Sequence, residues 1–392
     1  MCQATATVAK LAMRGPPLIM VTPQRLPASL TPLEMVLAAL LDGLAAVVPL
    51  ELPLAQALDG VAADMRPFEA HPPRDIAMAD GWAFHALDLV GASSYSPLPL
   101  AISPVWVEAG DAIPDGCDCV IDSDLVDQTG RMVQVLAEAI PGQGVRRIGG
   151  DIAEGRSAIA SGRRIRPLDL LIARAAGLET LKVRRPRLRI VDIAAASGVA
   201  VTAQLIAESA RRAGVDVVCA EAAGRDAASI AKALDAGACD ALVTIGGSGV
   251  GRTDAAIAAL AQRGDVIAHG IALQPGRTTA AGRIGEIPVM ALSGAPDQAL
   301  AAWWTLALPV LDRLSGLRSR PAVTLPLARK IASSVGIAEM ALLERDGGAW
   351  TPLAVGNLSL ETIARADAWL AVSGSAEGFA VGTPVDAYML RD

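Results

Sequence analysis

A chain of 392 residues, 52% of them hydrophobic, has apolar material for two to four domains with buried cores. Aromatic residues make up only 3% and the net charge is −7, which argues against base-stacking platforms and broad nucleic-acid binding. The five cysteines are odd in number, and only Cys117 and Cys119 are close, at no persuasive zinc spacing; they read as free thiols in a reducing cytosol.

Residues 1 to about 26 read as a loosely ordered tail. Lys10 and Arg14 precede Gly-Pro-Pro, and no clean apolar core leads to a small-residue cleavage site, so the segment is a poor secretory signal. Thr31-Pro32 predicts a helix start with proline at its first position, and Leu33, Val36, Leu37, Leu40 and Leu41 follow at helical spacing. Pro49 and Pro53 break that pattern, and a short helix over Pro53 to Leu58 precedes Gly60. Residues 61–142 predict a β-rich insert of short strands, such as Val105-Trp106-Val107 and Met132 to Leu136, with glycine and proline in the turns. Two acidic stretches stand out there, Asp75 to Asp80 and Asp118 to Asp124. A polar loop from Val145 to Ile152 contains Asp151, and a helix is predicted from Pro167 to Gly177. The basic run Lys182 to Arg189 reads as a solvated joint between domains, entering a strand.

From 186 to 316 strands and helices alternate. Strands are predicted at Leu188 to Ile193, Val215 to Ala220, Ala241 to Ile245, Val266 to Ala268 and Ile287 to Leu292. Helices are predicted at Val201 to Ala213, after Asp226, from Thr253-Asp254 to about Arg263, and over 298–311. Gly264 fits the left-handed position after a helix. The apolar stretch Ala299 to Leu311 contains Pro309 and is too short to span a membrane. Such alternation predicts a parallel sheet with helices on both faces and ligands beyond the C-terminal strand ends. Three loops fall at that edge: Gly246 to Asp254, Gln274 to Thr278, and Ser293 to Asp297. The first, with Gly246, Gly247, Gly249 and Gly251, would let backbone N–H groups approach an oxyanion at a helix N-terminus. It has no Lys-Ser/Thr pair and lacks the last glycine of a dinucleotide fingerprint. Taken alone it fits a tight strand-to-helix turn that binds nothing equally well. Residues 320–392 return to short strands, including Ala322 to Leu325, Trp369 to Val372 and Val385 to Leu390.

In this order the motifs resemble the MoeA family, molybdopterin molybdenumtransferase (gephyrin E-domain-like), from about residue 27 to the end. Ala79-Asp80-Gly81-Trp82-Ala83 is similar to the family's Met-Asp-Gly-Tyr-Ala, and Gly110 to Ile121 to its Gly-x-x-x-Pro-x-Gly-Ala-Asp-Ala-Val-Val. Val145-Arg146 and Gly149 to Ile152 are similar to Asn-Val-Arg and Gly-Glu-Asp-Ile. The glycine loop resembles Gly-Gly-x-Ser-x-Gly-x-x-Asp, Pro275-Gly276-Arg277 resembles Lys-Pro-Gly-Lys without the first lysine, and Ser293-Gly294-Ala295-Pro296 resembles Pro-Gly-Asn-Pro.

The resemblance implies a multidomain α/β and β architecture. A central three-layer α/β/α domain of the molybdenum-cofactor-biosynthesis type, with a mostly parallel sheet, would cover residues 183–318. A helical linker domain would combine 27–60 with 143–182, the β-rich insert domain would cover 61–142, and a C-terminal small β-barrel or sandwich 319–392. The implied reaction inserts molybdate into the dithiolene of adenylated molybdopterin and releases AMP. Asp80 and Asp151 would be its catalytic acids and ligands to Mg²⁺. Gly246, Gly247, Ser248, Gly249, Gly251, Asp254, Pro275, Gly276, Arg277, Ser293, Gly294, Pro296 and Arg146 would bind the phosphorylated pterin or molybdate. The resemblance further implies a cytoplasmic homodimer, with the insert of one copy near the glycine loop of the other. It implies contact with a molybdopterin-adenylating protein or an apo-molybdoenzyme, and neither nucleic acid nor membrane as partner. Departures cluster at one edge. Ile193-Ala-Ala-Ala-Ser-Gly-Val stands where the family has Thr-Gly-Asp-Glu-Leu, Gln274 replaces a lysine, Ala295 an asparagine, and Gly249 the loop serine. These point to altered or lost catalysis, and so to a cofactor carrier or a scaffold of the same fold as alternatives.

Overall fold

The computed structural model describes residues 24–101, 103–129, 132–157, 159–194 and 201–391. Most of the expected N-terminal tail, and residues 195–200 of the segment that departs from the family pattern, lie outside the described residues.

Six strands form the central sheet: β1 (Arg187–Asp192), β2 (Asp216–Glu221), β3 (Ala241–Ile245), β4 (Asp265–His269), β5 (Ala280–Ile284) and β6 (Ile287–Leu292). Their order is β2-β1-β3-β6-β5-β4. The first four are parallel, β5 runs antiparallel to β6, and β4 runs antiparallel to β5. All five residues of β3 are buried, as a strand covered on both faces requires. Helix α1 (Val201–Arg212) lays Ile206, Ala207 and Ala210 in one core with Leu188, Ile190 and Val243. On the opposite face α2 (Ala227–Ala233) and α3 (Ala256–Arg263) bring Ile230, Ala259 and Leu260 together with Val191 and Leu242. Three layers result.

Two local expectations need correction. Helix α3 begins at Ala256 rather than at Thr253, because the Asp254 carboxylate folds back onto the N–H of Gly251, at 2.9 Å. Gly264 is extended, not left-handed. Glycine is needed there for space, since a Cβ would lie 2.0 Å from the Arg283 carbonyl oxygen of β5.

The expected helix over 298–311 runs as α4 (Pro296–Ala302), a π-helical turn over Trp303–Ala307, and α5 (Leu308–Ser315). Pro309 supplies no N–H and its ring crowds the preceding turn, and a widened turn relieves both. The Thr305 hydroxyl donates to Ala301 O at 2.7 Å within that turn. Trp304 stacks on Trp369 at 5.6 Å and 8°, and Trp369 meets Tyr388 at 4.6 Å, which joins this helix to the C-terminal sheet.

That sheet runs Val323–Pro326, Pro384–Met389, Ala368–Val372 and Ala338–Asp346, with Ala349–Val355 paired to the last. A bridge between Leu327 and Trp350, and the Trp350 indole N–H on Val323 O at 3.2 Å, bring its ends together around a buried core. The strands Ile271–Gln274 and Thr31–Pro32 extend the same sheet, so the Gln274 loop leaves the C-terminal sheet and not the central one. Thr31-Pro32 is correspondingly a strand end, with the helix beginning at Leu33.

The linker expected to be helical is mixed. Thr180–Arg184 pairs on both sides, with Leu50–Pro53 and Val61–Ala62, and the helix Pro167–Ala175 packs Leu170 and Ala173 against it. The arginines of the basic run are engaged by the surrounding chain. Arg184 binds Val47 O, Arg185 binds Gln56 O and Leu58 O, Arg187 pairs with Asp240, and Arg189 binds Ala233 O. In the insert, Gly81–Phe84 lies between Val105–Val107 and Cys119–Ile121, and Gln134–Ala137 lies between Ser93–Pro99 and Val126–Asp127. Trp82 and Trp106 meet edge to face at 5.0 Å on these strands.

Candidate functional site

The glycine loop leaves the buried end of β3. Gly246 and Gly247 take φ of 91° and 68°, a region open to glycine and costly for other residues. A Cβ on Gly246 would also lie 2.9 Å from Ile193 O at the end of β1. Gly249 and Gly251 serve differently. A Cβ on either would lie 2.6 or 2.9 Å from Asp254 Oδ2, so their smallness lets Asp254 fold into the loop. Ala256 N–H donates to Gly247 O at 3.0 Å, which ties α3 to the loop. Ser248 is buried and its hydroxyl lacks a protein partner among the described residues. Its carbonyl accepts from His269 Nε2 at 3.0 Å, which requires the hydrogen on that nitrogen.

The other two loops join this one. A Cβ on Gly294 would lie 3.7 Å from Gly246 Cα, and Thr202 of α1 donates its hydroxyl to Gly294 O at 2.6 Å. Ser293 Oγ accepts from Ala295 N–H at 3.2 Å, and Pro296 opens α4. Pro275 and Gly276 are buried, with Gly276 positioned so that a Cβ would lie 3.4 Å from Gln298 O in the first turn of α4. Arg277 is exposed. Gln274, in place of the family's lysine, donates to Gly356 O at 3.1 Å and so serves the C-terminal domain.

Several residues here escaped the sequence reading. Gln24, in the expected loose tail, is anchored instead. Its amide donates to Gly247 O at 3.0 Å and Gly249 O at 2.8 Å, and accepts from Ile257 N–H of α3 at 2.8 Å. No local pattern announces a bond across more than 220 residues. At about 1 kcal/mol net per hydrogen bond, Gln24→Ala is expected to speed exchange of the Ile257 amide by at least about tenfold. Exchange equal to wild type would show that Gln24 does not hold the loop. Arg225, by contrast, was legible in principle as a cation in the loop after β2, one residue before the helix cap Asp226. Asp192 and Glu221 also meet, in register at the ends of β1 and β2. Burial, and secondarily the Glu221 charge, push the Asp192 carboxyl above its ordinary range.

The insert residues form a separate set. Asp80 is exposed and accepts from Ala109 N–H at 2.8 Å. Arg146 pairs with Asp151 at 3.1 Å, both about two-fifths exposed. Nearby, Ile148 N–H and the Arg147 guanidinium bind Asp75, and the Ile148 bond leads in lowering its carboxyl below the ordinary range. Among the described residues no hydrogen bond or ion pair joins Asp80, Arg146 or Asp151 to the glycine loop of the same chain. A cleft of about 650 Å³ lies elsewhere, lined by Leu37, Trp304, Asp312, Arg320, Trp369 and Tyr388 and by none of the loop residues.

The donor set does not fit the Mg²⁺ that the resemblance implies. Among the described residues no group of three or more His, Cys, Asp or Glu is placed to hold a metal ion. Asp80 accepts one backbone N–H on Oδ1, Asp151 pairs with Arg146, and Asp254 pairs with Arg225. Asp80 and Asp151, expected as ligands to Mg²⁺, share no hydrogen-bond partner among the described residues.

Comparison with known proteins places this geometry in context. The family model "MoeA N-terminal region (domain I and II)" matches residues 31–177, and "Probable molybdopterin binding domain" matches 192–313, which contain the glycine loop and the Gly294 loop. Molybdopterin molybdenumtransferase 2 of Mycobacterium tuberculosis is 30% identical over 287 residues, covering 63% of this chain and 70% of the relative. Molybdopterin molybdenumtransferase of Synechococcus elongatus is 24% identical over 363 residues, covering 81% and 89%. The crystal structure of a molybdopterin biosynthesis MoeA protein from Pyrococcus horikoshii superimposes with a TM-score of 0.71 over 92% of this chain and all of that one, at 21% identity, and so shares the fold.

Proposed function

This chain belongs to the MoeA family, whose field is molybdenum cofactor biosynthesis, and we propose that it inserts molybdate into adenylated molybdopterin with release of AMP. The observation that carries this reading is the meeting of Gly246 and Gly294 at the ends of the neighbouring parallel strands β3 and β6. Ligands of open parallel sheets sit at such strand ends. The loop backbone is held open by glycine and braced by His269 and Gln24, so a phosphorylated pterin meets a preformed cradle. The donor set present does not provide for a resident Mg²⁺, and the chain's own part is to bind and orient the anions.

In this proposal the working unit is a homodimer in the cytoplasm. The insert of one copy brings Asp80 and Asp151 to the glycine loop of the other. The site residues keep the roles given by the resemblance: Gly246, Gly247, Ser248, Gly249, Gly251, Asp254, Pro275, Gly276, Ser293, Gly294 and Pro296 around the pterin, with Arg146 and Arg277 to its phosphate or to molybdate. An adenylating protein upstream and an apo-molybdoenzyme downstream complete the partners. No described helix is long and apolar enough to cross a membrane.

A second reading, a carrier that binds the cofactor without forming it, is favoured by one specific observation. Gln274, at the position of the family's lysine, is committed to Gly356 O. Purified protein given adenylated molybdopterin and molybdate, with and without Mg²⁺, separates the two. The transferase reading expects AMP release together with reconstitution of an apo-molybdoenzyme. It expects both to fall by about a hundredfold in Asp80→Ala or Asp151→Ala. Pterin binding without either signal would replace it with the carrier reading.

A further inference from the structure

The loop after β2 delivers one cation to the mouth of the glycine loop. Arg225 is mostly buried, with 29% of its side chain exposed, and its guanidinium meets four oxygens. Nη2 donates to Asp254 Oδ1 at 2.9 Å, and Nη1 donates to Ala194 O at 2.6 Å and Ile193 O at 3.4 Å. Nε donates to Thr253 Oγ1 at 3.3 Å. A carboxylate, a hydroxyl and two main-chain carbonyls thus converge on one positive charge from the end of β1 and the approach to α3. These are oxygens of the hard type that Ca²⁺ or Mg²⁺ also takes, here spaced to the N–H groups of a guanidinium. The carboxylate cannot turn elsewhere, because its second oxygen holds Gly251 N–H at 2.9 Å. The segment Ala194 to Ala200 adds no carboxylate, histidine or cysteine.

We propose that Arg225 is the resident cation of this site, filling with a guanidinium an oxygen cage that a divalent metal would otherwise occupy. The proposal rests on the reading of the glycine loop as an anion cradle. It extends that reading by making ligand binding there independent of a metal. A guanidinium is a covalently tethered cation, whereas a bound metal would come and go with its concentration. Four of its five N–H groups are engaged, which leaves one on Nη2 for an anionic ligand.

The inference is tested on the whole protein with Mn²⁺ alone, by electron paramagnetic resonance of the free ion, and without any pterin. Wild-type protein is expected to take up no Mn²⁺ through Asp254. Arg225→Ala empties the cage and is expected to gain one site per chain, at least about tenfold tighter than any wild-type binding. That gain is expected to vanish in the double variant Arg225→Ala/Asp254→Asn and to be absent in Arg225→Lys. Wild-type uptake that disappears in Asp254→Asn would overturn the proposal, as would a folded Arg225→Ala protein that gains no site. Should Arg225→Ala fail to fold, the comparison of wild type, Asp254→Asn and Arg225→Lys still decides. Because the readout needs no molybdopterin, it can fail while the transferase reading stands, and the reverse.

Discussion

Gly246→Ala is expected to weaken molybdopterin binding by about two orders of magnitude while costing the fold only about 1–3 kcal/mol. The two effects separate because the strain is local. A Cβ at φ 91° is unfavourable, and here it also meets Ile193 O at 2.9 Å. The loop can relieve that contact only by moving away from the end of β1, and its backbone N–H groups move with it. Gly294 lies against the same Cα, so the facing loop shifts as well. Gly285→Ala is the control, since φ there is 58° and a Cβ meets open space. Titration of both variants with molybdopterin, alongside urea denaturation, gives the comparison. A Gly246→Ala protein that binds within a few fold of wild type would show that the loop backbone is not the cradle.

Gly264→Ala has the larger consequence for the fold, a loss of about 3 kcal/mol or more in urea denaturation. The backbone there is extended, so torsional strain contributes little. The cost is steric. The new methyl would sit 2.0 Å from the Arg283 carbonyl oxygen and 2.9 Å from Ile284 Cα. Both belong to β5, whose pairing with β4 closes the antiparallel edge of the central sheet. Main-chain atoms in a ladder cannot swing aside as a flexible side chain would. A cost below about 1 kcal/mol would show that this edge yields easily.

These two glycines also show where sequence reading succeeds and where it stops. The alternation from 186 to 316 is a local signal, and β1, β2, β3 and β6 fall within a residue or two of their predicted places. The glycine loop and the Gly294 loop were legible because each follows such a strand. Gly264 was legible as a position where only glycine fits, but its reason was not, because the obstructing carbonyl lies about twenty residues away on another strand. The Gln274 loop was expected at the edge of the central sheet, which the structure corrects. Its strand belongs to the C-terminal sheet, and it reaches α4 only through tertiary packing. The linker sheet was missed because its central strand lies more than a hundred residues from the two it joins, and period-2 patterns of two to five residues carry little signal. Gln24 braces the site through contacts with no sequence signature, whereas Arg225 was legible as a cation in the loop after β2 though its partners were not.

The stack of Trp304, Trp369 and Tyr388 has a practical consequence. It straddles the seam between the π-turned helix and the C-terminal sheet, with its indoles 5.6 Å apart and nearly parallel. Rings so arranged couple as excitons, and the coupling depends steeply on their separation and angle. Near-ultraviolet circular dichroism therefore follows the opening of this seam without any attached label. Trp82 and Trp106, crossed at 78° in the insert, supply a second and geometrically distinct couplet. The protein carries its own optical gauge of whether this seam stays closed.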